Sequence, residues 1–264
     1  MIMREVGSVP YLNAKPLLYG LETEQADTYK IATKTPAKLA LDLRDELLEF
    51  ALLPIIEYGR GHDNYALVPN LCIGTSGSVA SVLLFFKKDI RALQSVALDA
   101  SSRTSVALLK IILSEKYGIQ PRFTVMEPSL ETMLAQADAA LLIGDNALRQ
   151  REKYKHFLDL GEEWVLWTGL PFVFAAWVGR EENFERGDLQ ILQNSLELGE
   201  KNLPSIIANY TRAESWQGYS LTKYLQTNID YRMSEDHIDG IKAFLEMAFY
   251  HGLLEHLPDL HFFN

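Results

Sequence analysis

Short apolar runs alternate with amphipathic stretches along this chain, and the alternation sets the expected fold. Residues 6–9 read as a strand that Pro10 breaks. Residues 11–13 then sit in a strand-to-helix loop, because Pro16 is tolerated in a first helical turn. Residues 28–33 read as a second strand. Thr35 caps and Pro36 opens a helix reaching about Leu48, and 50–54 reads as a buried strand ending in a loop at Ile55, Ile56 and Glu57. Strand, helix, strand, helix, strand is the order of parallel βαβ units. After a strand at 70–75 come two runs that are apolar nearly throughout, 79–86 and 170–178, as expected of strands buried on both faces. Between them lies a self-contained α/β unit: strand 96–98, a helix from Ser102, strand 123–126, a helix near 129–136 and strand 139–143. The tail reads as helical over 181–199, 203–210, 220–228 and 234–252, the last with Ile238, Ile241, Phe244 and Leu245 on one packing face.

This layout predicts an α/β protein of two lobes joined by two crossing strands, with a helical C-terminal tail. Lobe one takes residues 1–82 and 178–264, and lobe two takes 83–177. Ligand is expected in the cleft between them. At 264 residues the chain is long enough for a large core. Its net charge of −10 argues against broad nucleic-acid binding and against anionic membrane surfaces. The first residues carry no apolar signal region and no run approaches a membrane span, so a cytoplasmic protein is expected. The single cysteine, Cys72, sits among apolar neighbours and reads as a buried, inert thiol. The six histidines, His62 among them, show no metal-ligand spacing, so no metal is expected.

An acidic protein that binds an anion must do so in a local pocket. Ser101-Ser102-Arg103-Thr104-Ser105 offers one, since it follows a short buried strand and opens an apolar-striped helix. Unpaired backbone N–H groups, the helix dipole, four hydroxyls and one guanidinium meet there. Capping alone is the plainer reading of Ser102 or Thr104, and it is compatible with anion binding. Arg103 binds the anion or forms a structural ion pair at the lobe surface. Asn13 acts as a helix cap or aims its amide at a ligand. Tyr11 contacts the ligand or walls the cleft. Asp145 caps a helix beginning near Asn146 or acts as a base. Thr168 and Gly169 precede the second crossing strand and face the cleft or form a hinge.

Several stretches together resemble one known family. They are Val9-Pro10-Tyr11-Leu12-Asn13 with Lys15-Pro16-Leu17, residues 77–82, residues 101–109, and Leu141-Leu142-Ile143-Gly144-Asp145. A further one is Asp159-Leu160-Gly161-Glu162-Glu163-Trp164 followed by Thr168-Gly169-Leu170-Pro171-Phe172-Val173-Phe174-Ala175. The chain resembles the MqnA family, the chorismate dehydratases of the futalosine route to menaquinone. The resemblance implies a type II periplasmic-binding-protein-like fold. It also implies loss of water from chorismate to give 3-[(1-carboxyvinyl)oxy]benzoate, with no cofactor. The family's catalytic Asn and Ser fall on Asn13 and Ser81. Substrate contacts are expected from Tyr11, Ser78, Ser102, Arg103, Thr104, Ser105, Gly144, Asp145 and Thr168. Ser78 replaces a proline common in the family, and Ile55 replaces a common Ser or Thr. No histidine stands at a strand end in the cleft, so the substrate's own enolpyruvyl carboxylate is the expected base. The expected partner is the small molecule alone, bound to a monomer or homodimer. The rival reading is a non-catalytic small-anion binding protein, either a solute carrier or a sensor domain.

Overall fold

The computed structural model describes residues 3–61, 64–214 and 216–263, so His62 lies outside the described residues. The first α/β unit runs β1 (Arg4–Ser8), a 3-10 turn (Leu12–Ala14), α1 (Lys15–Thr23), β2 (Tyr29–Thr33), α2 (Pro36–Arg44), β3 (Phe50–Pro54) and α3 (Ile55–Gly59). Residues 55–57 are helical rather than loop. Pro54 occupies the N-cap, and Glu57 in the first turn complements the helix dipole. The chain continues through β4 (Tyr65–Thr75) and β5 (Val82–Phe86). The second unit repeats the first: β6 (Ser95–Asp99), α4 (Thr104–Ile111), β7 (Arg122–Met126), α5 (Leu130–Gln136), β8 (Ala139–Ile143) and α6 (Gly144–Arg151). Then follow β9 (Phe157–Asp159), α7 (Leu160–Thr168) and β10 (Phe172–Arg180).

Among the described residues the strands form two five-stranded sheets, ordered β2-β1-β3-β10-β4 and β7-β6-β8-β5-β9. In each, three parallel strands meet one antiparallel neighbour, β10 beside β3 and β5 beside β8. The chain passes between sheets at 76–81 and returns through α7. The apolar run at 79–86 enters its sheet only at Val82. Ala80 has φ +63 and the N–H groups of Val79 and Ala80 bond a carboxylate instead of a strand. Residues 172–177, expected in lobe two, pair instead with β3 and β4 in the first sheet.

One core fills the first sheet and extends under α4, while Leu83, Phe85, Met133 and Leu142 form a separate core on the outer face of the second sheet. The tail comprises α8 (Asp188–Lys201), α9 (Leu203–Glu214), α10 (Leu221–Lys223) running into a π-turn (Tyr224–Asn228), and α11 (Glu235–Tyr250). Helix α8 lies close on α1: the Ser195 hydroxyl accepts from Gly20 N and Leu21 N and donates to the Leu17 carbonyl.

Candidate active site

In open α/β sheets, ligands bind beyond the carboxyl ends of parallel strands. Here the carboxyl ends of β1, β3, β6 and β8 all face one cavity of about 70 Å³ between the sheets. Its polar lining comes from Tyr11 and Asn13 after β1, Ser81 before β5, Ser101 to Ser105 after β6, and Gly144 after β8. Val9, Ile73 and Phe174 supply apolar wall.

Ser81 is placed by a loop folded around one buried carboxylate. Asp159 accepts from Ser78 Oγ at 2.7 Å, Val79 N at 3.0 Å and Ala80 N at 2.7 Å. It also caps α7 through Gly161 N and Glu162 N, and Arg151 approaches it at 3.4 Å. A left-handed alanine costs about 1–2 kcal/mol, which these charge-assisted bonds offset. The Ser81 carbonyl accepts from Gly144 N at 2.7 Å, joining the two cleft loops. The buried Tyr224 hydroxyl donates to Ser81 Oγ at 2.9 Å. Asn13 sits in the 3-10 turn after β1. Its side chain neighbours the same Tyr224 hydroxyl, and its Oδ1 is buried without a protein partner.

Across the cavity, Asp99 at the end of β6 organises the opening of α4. It accepts from Ser101 N at 2.9 Å, Ser101 Oγ at 2.5 Å and Ile143 N at 3.3 Å. Burial nonetheless pushes its pKa above the usual carboxylate range. The Tyr11 hydroxyl bonds the Ser101 side chain, and its pKa too is raised by burial. Ser102 Oγ is buried without a partner, and Thr104 Oγ1 accepts from Ile56 N at 3.3 Å. The first backbone N–H groups of α4 have no intrahelical acceptor. Arg103 is exposed at the mouth. It also lines a wider neighbouring cavity of about 340 Å³ with Arg44 and Arg60. The latter two guanidiniums pair with Asp45 and Glu57.

Three residues expected at the substrate have protein partners. Ser78 donates to Asp159. Thr168 Oγ1 donates to the Trp164 carbonyl and accepts from Leu170 N, closing the end of α7. Asp145 accepts from Leu12 N at 3.3 Å and from Tyr210, and burial raises its pKa. None of the three is among the residues lining the cavity. Gly144 does line it, at φ +59, where an added Cβ would lie 2.7 Å from the Tyr11 ring. Sequence reasoning missed Tyr224, which lies in the helical tail without any motif. It also missed Asp159, although Asp159-x-x-Glu162 before an apolar run carries the helix-start pattern. Among the described residues no cluster of His, Cys, Asp and Glu can hold a metal, and no helix is long and apolar enough to cross a membrane.

Two α/β lobes with a cavity between their sheets define a protein of the periplasmic-binding-protein-like fold. A crystal structure from Archaeoglobus fulgidus matches with a TM-score of 0.76 at 16% identity, over 95% of this chain and 98% of that one. The alkanesulfonate-binding protein of Xanthomonas axonopodis pv. citri, bound to MOPS, matches with a TM-score of 0.71 at 13% identity, over 97% and 95%. At those identities the likeness is one of fold. Sequence goes further. The menaquinone biosynthesis family matches residues 4–250. The chorismate dehydratase of Thermus thermophilus is 32% identical over 259 residues, covering 91% of this chain and 93% of that protein. The chorismate dehydratase of Campylobacter jejuni is 25% identical over 91% and 95%. The chain belongs to this menaquinone biosynthesis family.

Proposed function

We propose that this protein is a chorismate dehydratase, a carbon–oxygen lyase that removes water from chorismate to give 3-[(1-carboxyvinyl)oxy]benzoate. The observation that carries the reading is the convergence of Asn13, Ser81 and the start of α4 on one cavity. The relatives named as chorismate dehydratases support it.

The substrate is a dianion whose ring becomes aromatic when it loses one C–H proton and its hydroxyl. Aromatisation drives the reaction, so the protein supplies position and charge placement. One carboxylate sits at the opening of α4, held by backbone N–H groups and the hydroxyls of Ser102 and Ser105, with Arg103 at the mouth adding long-range attraction. Asn13 and Ser81 hold the opposite side. The enolpyruvyl carboxylate takes the ring proton, and the C–H electron pair becomes a ring double bond. The C–O bond then breaks, and the hydroxide leaves as water with the proton the carboxylate carried. Ser81 steadies the departing oxygen by donating a hydrogen bond. Burial raises the pKa of both Asp99 and Asp145. We place the enzyme in the cytoplasm, acting as a monomer or homodimer without a cofactor.

Mixing the purified protein with chorismate tests the reading. Growth of a benzoate absorbance with release of water is the expected result. Saturable binding of chorismate without conversion would make the protein a carrier or sensor instead.

A further inference from the structure

Ser81 lines the cavity, yet a serine hydroxyl turns freely about its C–O bond and both donates and accepts. Its usefulness to a leaving hydroxyl depends on which way its proton points. The tail supplies the answer from far along the chain. Tyr224 is fully buried, and its hydroxyl lies 2.9 Å from Ser81 Oγ.

We infer that Tyr224 is a positioning residue for the reaction proposed above: by donating to Ser81 Oγ it occupies a lone pair there and turns the serine proton into the cleft. This rests on the dehydratase reading and deepens it. Burial holds the phenol neutral far above the ordinary tyrosine range, so it stays a donor at any working pH. The Asn13 amide neighbours the same hydroxyl, while Asn13 Oδ1 is left buried and unpartnered beside the cavity. The groups therefore form a chain of one polarity: Asn13 N–H to Tyr224 O–H to Ser81 O–H to the substrate oxygen. Each bond polarises the next, so Ser81 becomes a stronger donor than an isolated hydroxyl.

The π-turn that carries Tyr224 is itself clamped to the loop that carries Ser81. Asn228 Nδ2 donates to the Ser78 carbonyl at 2.7 Å, and Asn228 Oδ1 accepts from Tyr219 at 3.0 Å. The Tyr219 ring in turn lies under the Arg151 guanidinium at 5.0 Å, and Arg151 pairs with Asp159. Donor and acceptor are thus tied together by contacts besides their own hydrogen bond.

The test is a double-mutant cycle on chorismate turnover. Tyr224→Phe keeps the ring and removes the donor. It should lower kcat by about tenfold with KM within about twofold, the size expected for one hydrogen bond strengthened in the transition state. In a Ser81→Ala background the same change should have no further effect. A second route avoids any packing change: fluorotyrosines placed at 224 alone should raise kcat as the phenol becomes a better donor. Wild-type kcat in Tyr224→Phe, full additivity with Ser81→Ala, or indifference to fluorination would overturn the inference and leave the dehydratase reading intact. A wild-type protein that does not convert chorismate would overturn both.

Discussion

In the first sheet β1 lies between β2 and β3, with β10 antiparallel beside β3; in the second, β6 lies between β7 and β8, with β5 antiparallel beside β8. The turn after β1 faces the turn after β6 across the cavity. Even the ties between halves are reciprocal. The first turn of α4 accepts from Ile56 N on α3, and the turn after β1 donates through Leu12 N to Asp145 on α6. What differs is the chemistry at the matched turns. After β1 stand a phenol and an amide, backed by the tail tyrosine. After β6 stand four hydroxyls and an arginine opening a helix. In the proposed reaction, the first wall guides the chemistry and the second holds the anion.

The sharpest way to break that comparison is to remove one group from each wall. Asn13→Ala and Ser81→Ala should each lower kcat about 100-fold or more, the loss typical of removing a preorganised donor at a developing charge. Ser102→Ala, which deletes a buried hydroxyl lacking any protein partner, should instead raise KM about tenfold and spare kcat. Steady-state kinetics with chorismate decides it. Equal losses of kcat from both walls would erase the division of labour.

Much of this was legible from the chain. Apolar runs and proline positions located nearly every strand, because the period of burial is written in side-chain chemistry. The hydroxyl run at 101–105 announced the opening of α4, and Asn13 and Ser81, named from the family resemblance, line the same cavity as that run. Three things were not legible. Ile55 begins a helix directly after Pro54 with no side-chain cap to announce it. The second apolar run, 170–178, joins the first sheet from Phe172 onward, since two-faced burial says nothing about which sheet does the burying. Tyr224 meets Ser81 across 143 residues with no pattern linking them. Ser78 and Thr168 are expected at the ligand as hydroxyls on cleft loops. In the fold they serve Asp159 and the end of α7.

The third strand of each half gives a smaller test. Ile55 follows β3 in ordinary helical conformation, whereas Gly144 follows β8 at φ +59 with the Tyr11 ring packed against it. Gly144→Ala should destabilise the fold by about 1–2 kcal/mol from backbone strain, and should raise KM by displacing Tyr11. Chemical denaturation and a KM measurement read the two effects separately. If stability holds while KM rises, the strain argument fails and only the ring contact matters.

The smallest expected effect lies at the opposite ends of the same strands. Glu49 N donates to the Glu5 carbonyl before β3, and Asp138 N donates to the Ser95 carbonyl before β8. Only the second position adds a carboxylate clamp. Asp138 accepts from Gln94 N at 2.8 Å and Ser95 N at 3.1 Å and pairs with Lys88 at 3.0 Å. The backbone donors foremost, then Lys88, hold its pKa down at about 2, against 3.8 for a free carboxyl. A carboxyl lowered in the folded state adds stability that is complete above the unfolded value and lost as pH falls through the folded one. The Asp138 contribution should therefore fade between about pH 3.8 and pH 2. Asp138→Asn should be slightly less stable at neutral pH and should show a flatter loss across that acid window. The pair is at the surface, where solvent screens it, so the difference is small and belongs to the second half alone. Denaturant midpoints measured across the window check it, with Glu49→Gln as the matched change in the first half. An equal flattening from Glu49→Gln would mean that the clamp is no special property of the second half.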